Sequence, residues 1–101
     1  VYKRQVIILQ PSSRKGKKFQ VNINGKIIHF GAKGYDDFTI HKDNERKQRY
    51  IDRHKKRENW TKSGIMTAGW WTKHILWNRP SITDSIADTE TFSGEKIDYY
   101  K

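Results

Sequence analysis

Phe19, Val21 and Ile23 alternate with Lys18, Gln20 and Asn22, and the strand pattern resumes from Lys26 to Phe30. Alternation with period two over runs this short marks strands with one buried face. Asn24-Gly25 lies between them, a pair that accepts the positive φ angles of a type I′ turn, so the chain predicts a β-hairpin here. Upstream, Tyr2 to Leu9 ends in Val6-Ile7-Ile8-Leu9, a β-branched run that predicts a further strand stopped by Pro11. Ser12 to Lys18 is a polar, basic loop around Gly16.

Beyond the hairpin the period changes. Gly31 and Gly34 release the chain from the sheet, and Tyr35 to Ile40 fits a turn or a short extended segment. His41 to Arg57 has neither glycine nor proline and is rich in Lys, Arg, Glu and Gln, which predicts a helix. Between Lys42 and Arg57 only Tyr50 and Ile51 are apolar, with His54 one turn on, so this helix buries a narrow stripe and leaves the rest to solvent or a partner. Glu45 with Arg49, and Asp52 with Lys56, are i,i+4 pairs in the favourable order, worth about 0.3 kcal/mol each.

Ser63 is placed to cap a second helix over roughly 64–77, whose apolar residues, Trp70, Trp71, Ile75, Leu76 and Trp77 among them, fall on more than one face and need two neighbours. Asn78-Arg79-Pro80 ends it. Ser81, with Asp84 three residues later, predicts a third helix to about Thr89, with Ile82 and Ile86 as its apolar edge. Residues 90–101 are expected to form a tail whose Phe92, Ile97, Tyr99 and Tyr100 dock on the body or a neighbour. The expected fold is therefore α+β: an N-terminal hairpin or small antiparallel sheet packed on two or three helices. It forms one domain over 1–101, with a strand part (1–34), a helical part (41–89) and the tail (90–101).

Charge sharpens this picture. Residues 1–34 hold eight Lys/Arg and no Asp/Glu, residues 42–62 hold nine bases and four acids, and residues 63–101 are nearly neutral, for a net charge of +10. That asymmetry points to a polyanion or an acidic protein surface as partner. With 101 residues, 34% hydrophobic and no cysteine, the core is small and gains nothing from disulfides or thiolate metal sites, which favours an assembled context. No run of about 18 apolar residues exists, so no membrane-spanning helix is expected, nor is a cleavable signal peptide at the start; the chain begins with Val1 in place of Met, as trimming would leave it.

Catalytic and cofactor chemistry find little support. The four histidines, at 29, 41, 54 and 74, show no His-x-x-x-His spacing, so neither a metal nor any other cofactor is expected. Asp36 or Asp37 with Glu45-Arg46-Lys47 has the residue types of a metal-dependent nuclease, but Glu45 and Lys47 on one helix point apart, so no enzyme is expected. Gly31-Ala32-Lys33-Gly34 has the Gly-x-x-Gly form of the KH loop, yet it follows a strand instead of joining two helices. Trp60, Trp70, Trp71 and Trp77 crowd into eighteen positions. Trp and Arg are enriched at interface hot spots, and the expectation is that part of this set is core and at least one Trp meets a partner. The candidate protein or polyanion interface is Arg46, Lys47, Arg49, Arg53, Lys55, Lys56, Arg57, Trp60, Trp70, Trp71 and Trp77. Direct nucleic-acid binding is the second reading, since Arg46 to Lys56 can contact phosphates and Tyr50 and Trp60 can stack on bases, although Asp43, Glu45, Asp52 and Glu58 dilute the patch.

The runs Phe30-Gly31-Ala32-Lys33-Gly34-Tyr35, Phe38 to Asp43, Glu45-Arg46-Lys47, Arg49-Tyr50-Ile51, Arg53-His54-Lys55-Lys56 and Glu58-Asn59-Trp60, continued by Lys62 to Ile65, Thr67-Ala68-Gly69, Trp77-Asn78 and Pro80, carry a resemblance. From Phe30 to roughly Ile86 the chain resembles a family of small basic proteins encoded by large double-stranded DNA viruses of eukaryotes. The resemblance brings no catalytic residue. It implies a viral origin and a place in the virion as a minor capsid protein, with the major capsid protein and other capsid components as partners, and the host cytoplasm as the site of assembly.

Overall fold

The computed structural model describes residues 6–101. Its sheet has four strands, β1 (Ile7–Pro11), β2 (Lys17–Ile23), β3 (Lys26–Ala32) and β4 (Ile97–Tyr99), in the order β3-β2-β1-β4. The first three form an antiparallel meander, with Leu9 opposite Val21 and Val21 opposite Ile28. Asn24 (φ 52°) and Gly25 (φ 96°) both take positive φ, as the type I′ hairpin requires. The expected first strand is present from Ile7; its part over 2–5 lies outside the described residues.

β4 corrects the expected tail. Ile97 pairs with Ile7 and Tyr99 with Leu9 in parallel, which makes the sheet mixed. Parallel pairing needs a long crossover, and the helices between β1 and β4 supply it. These are α1 (Phe38–His41), α2 (Asn44–His54), α3 (Ala68–Trp71), which continues into a π turn over Thr72–Leu76, and α4 (Ile82–Ser93). The predicted helix over 41–57 is α2 alone, starting at Asn44 and ending at His54, while α1 occupies 38–41, where a turn or extended segment was expected; Lys42, at a left-handed φ of 55°, separates the two. The second helix starts later than 64. Thr67, not Ser63, caps it by accepting from Trp70 N at 3.3 Å, and residues 62–64 form a separate 3-10 turn. Ser81 caps α4 as expected by accepting from Asp84 N at 3.1 Å, and the helix runs past Thr89 to Ser93 before Gly94 ends it at φ 75°.

One face of the sheet, carrying Ile7, Leu9, Val21, Ile23, Ile28, Phe30 and Ile97, packs with Ile65, Trp70, Trp71, Ile75, Leu76 and Ile86 into the core. The doubly apolar α3 segment finds the two neighbours it needs. Trp71 meets Phe30 with ring centroids 6.3 Å apart, while Trp70 and His74 lie against Phe92 of α4 at 6.4 and 5.0 Å. Gly64 allows the tightest approach. A Cβ there would stand 1.9 Å from the Asn59 carbonyl oxygen, so the chain entering α3 folds against the preceding loop only with glycine. Over the sheet's other face lies the 12–16 loop, where Ser13 donates to Gln20 Oε1 and Ser12 Oγ lies 2.7 Å from His29 Nδ1.

Candidate docking site

α2 begins where Asp43 Oδ1 accepts from Glu45 N (2.9 Å) and Arg46 N (3.3 Å), satisfying two of the free amides of the first turn. Of its eleven residues only Tyr50 is buried, at 6% exposure. The Tyr50 ring stacks on Trp77 with centroids 4.4 Å apart and planes 1° from parallel, and it meets His54 at 4.4 Å and Trp60 at 6.2 Å. This aromatic column is the main apolar attachment of a helix that is otherwise charged. Burial, and next the nearby Glu58, push the Tyr50 phenol well above its ordinary range, with Arg53 opposing.

Beside the column lies a half-open cleft of about 510 Å³. α2 lines it with Arg46, Arg49, Tyr50, Arg53 and His54; the 31–37 stretch contributes Gly31, Ala32, Tyr35, Asp36 and Asp37; Lys18, Thr72, Leu76 and Trp77 complete it. The three arginines recur at i, i+3 and i+7, the spacing that keeps side chains on one helix face. Two cations already hold carboxylates. Lys18 Nζ pairs with Asp37 Oδ2 at 2.6 Å, and Arg46 Nη1 with Asp36 Oδ2 at 3.6 Å. Asp37 is 3% exposed and also caps α1, its Oδ1 accepting from Thr39 N at 2.9 Å and from the Thr39 hydroxyl. Arg49 reaches only Glu45, at 4.0 Å with both groups exposed, and Arg53 has no ion pair among the described residues. Tyr35 stands at the rim, 72% exposed. Gly31 (φ 78°) lets the end of β3 close against Leu76, since a Cβ there would come within 2.8 Å of Leu76 Cδ1.

The predicted interface residues separate into three groups. Arg46, Arg49 and Arg53 come together along the cleft. Lys55, Lys56 and Arg57 are exposed beyond the end of α2 but do not line it, and Asp52 pairs with Lys55 at 3.7 Å in place of the expected Lys56. Lys47 turns inward, donating to the Asn78 carbonyl at 2.6 Å and lying 4.8 Å from the Phe38 ring, so it is a tether between α2 and the chain before α4; burial, then Arg79, lower its pKa, with Asp88 opposing.

The tryptophans need correction. Trp70 and Trp71 are 0% exposed, with their indole N–H groups donated to Thr61 O (2.8 Å) and Ile65 O (2.7 Å), so both are core and present no surface to a partner. Trp60 and Trp77 are half-buried in the aromatic column, Trp77 at the cleft wall and Trp60 under Lys73 Nζ at 5.6 Å.

Sequence reasoning missed Lys18, Tyr35 and Thr72, and weighed Asp36 and Asp37 only as nuclease-type carboxylates, not as partners of cleft cations. Asp37 before Phe38-Thr39 is a recognisable helix start, but nothing local ties Lys18 to a loop nineteen residues away. The Gly-x-x-Gly stretch is the end of β3 and the turn after it, with Gly34 at φ 88°. Glu45 stays at the surface while Lys47 is turned inward, and among the described residues no three His, Asp or Glu cluster closely enough to hold a metal. No described helix is long and apolar enough to cross a membrane.

Residues 7–54, slightly under half the chain, match a family of unknown function, DUF5754. The similarity covers β1 to the end of α2, and so includes every cleft residue except Thr72, Leu76 and Trp77. No curated protein and no solved structure matches the chain.

Proposed function

We propose that this chain is a non-enzymatic docking protein that meets an acidic macromolecular surface through the exposed face of α2. On the resemblance to proteins of large DNA viruses, that surface belongs to the major capsid protein, and the chain is a minor capsid component linking or supporting its subunits in the virion. One observation carries the docking reading: the Arg46, Arg49 and Arg53 stripe lies in a cleft whose own carboxylates neutralise only part of it. A guanidinium offers a planar fork of donors to a carboxylate, and an assembled neighbour adds stability to a small fold by mass action. Mass spectrometry of purified, DNA-depleted shells is the test. The expected result is co-purification with the shell; recovery only with released genome overturns the capsid role.

Nucleic-acid binding is the second reading, favoured by the exposed Tyr35 ring beside the arginines, an arrangement suited to stacking a base while guanidiniums hold phosphate. It predicts binding to arbitrary duplex or single strands that falls steeply between low and moderate salt. Absence of any shift at low salt removes it.

A further inference from the structure

The cations of the cleft are not equivalent. Along its walls Lys18 holds Asp37 and Arg46 holds Asp36, whereas Arg49 has only the exposed Glu45 at 4.0 Å and Arg53 has no ion pair among the described residues. These two stand one helical turn apart, about 6 Å along the axis of α2. An extended polypeptide sends alternate side chains to the same side at about 6.6 Å. We propose that the cleft receives an extended acidic segment of a partner protein with carboxylates at alternate positions, one taken by Arg49 and the next by Arg53, continuing the series of pairs already formed at Lys18 and Arg46.

The proposal rests on the docking reading and adds the chemistry of the partner. Charge complementarity selects an acidic occupant, and the other cleft groups select a peptide over a nucleic-acid strand. Asp36 and Asp37 line the cleft and Glu45 lies beside Arg49, so a strand with a phosphate on every unit brings like charges together. An alternating segment places neutral residues there. Tyr35, exposed at the rim, offers an apolar face for an intervening side chain, and the volume of about 510 Å³ accommodates a few residues.

The test uses the whole chain, labelled with nitrogen-15, and three probes at one salt concentration: a capped peptide with glutamates at alternate positions, an isomer with the glutamates adjacent, and an oligothymidylate. The expected result is amide shifts at Gly31, Gly34, Tyr35, Arg49 and Arg53 with the alternating peptide, and weaker binding of the isomer. The double variant Arg49→Gln with Arg53→Gln should weaken binding about tenfold or more, as loss of charge-assisted hydrogen bonds implies. Lys55→Gln with Lys56→Gln removes the same charge outside the cleft and should change it by no more than about twofold. Equal losses from the two double variants, or equal affinity for the two peptides, overturn the cleft proposal and leave general acidic docking standing. Tighter binding of the oligothymidylate overturns the choice of partner. No binding of any peptide overturns the site, and failure of the shell experiment alone removes the capsid but not the site.

Discussion

The two segments richest in large side chains meet opposite fates. Over 68–77 Trp70, Trp71, Ile75 and Leu76 turn into the molecule, with Trp77 half-buried at the cleft wall, and the buried indole N–H groups of Trp70 and Trp71 find backbone carbonyls. Over 44–57 the chain is helical for most of its length but anchors through Tyr50, with Lys47 as a polar tether, and spreads its other charges over solvent and cleft. Aromatic density in a chain with few apolar residues is thus consumed by the core, because no other residues fill it. Charge density stays available for a partner, because burying it unpaired is costly.

Breaking the core segment should have the largest effect. Trp71→Ala removes a side chain with no exposed surface from the centre of the core, and we expect a loss of about 3–5 kcal/mol in denaturant unfolding, enough to leave a domain of this size largely unfolded. A loss under about 1 kcal/mol contradicts the core placement. Tyr50→Ala should instead act locally. It takes the middle ring from the column joining Trp77, His54 and Trp60, so hydrogen exchange should accelerate through α2 while the sheet amides keep their protection. Uniform acceleration would mean that helix and body unfold as one unit.

A smaller, pH-dependent effect belongs to His74. Its Nε2 lies 3.0 Å from Trp60 O and its ring lies between Trp70 and Phe92; burial first, and Lys73 with it, lower its pKa, against the Trp60 hydrogen bond and Asp88. A lowered folded pKa means that protons bind the unfolded chain more readily. Stability is then full above the ordinary histidine value of about 6.5 and declines as pH falls from there through the folded value. His74→Gln should flatten this limb of the stability profile, leaving a later one at lower pH where Asp88, held low by Asn78 and Arg79, becomes protonated. The smallest effect is expected from Glu45→Gln. It breaks an exposed 4.0 Å pair with Arg49, should change stability by less than about 0.5 kcal/mol, and should free Arg49 for an acidic partner.

Much of the sheet was legible because it is written locally. The hairpin at Asn24-Gly25 and the alternation around Phe19, Val21 and Ile23 follow from period and turn chemistry within a dozen residues, and the Ser81 cap follows from a three-residue spacing. The short helix over 38–41 and the break at Lys42 that parts it from α2 were not, since one left-handed residue without glycine leaves no compositional mark. β4 was hidden for a different reason. Ile97 to Tyr99 is too short to show alternation, and its strand state comes from pairing with Ile7 to Leu9, about ninety residues earlier in the chain.

The candidate site divides the same way. The arginine stripe at 46, 49 and 53 is a helical spacing visible in the chain, as is the poverty of apolar groups that leaves it exposed. That it borders a cleft, that Lys18 and Arg46 are already occupied by Asp37 and Asp36, and that Trp70 and Trp71 are withdrawn from any interface depend on long-range packing. The sequence by itself determined which segments carry period two or a helical spacing and where the charge lies, since these depend on neighbours a few residues apart. Tertiary structure alone decided which aromatic groups are spent on the core and which cations remain free, because both depend on which distant surfaces compete for the same side chain.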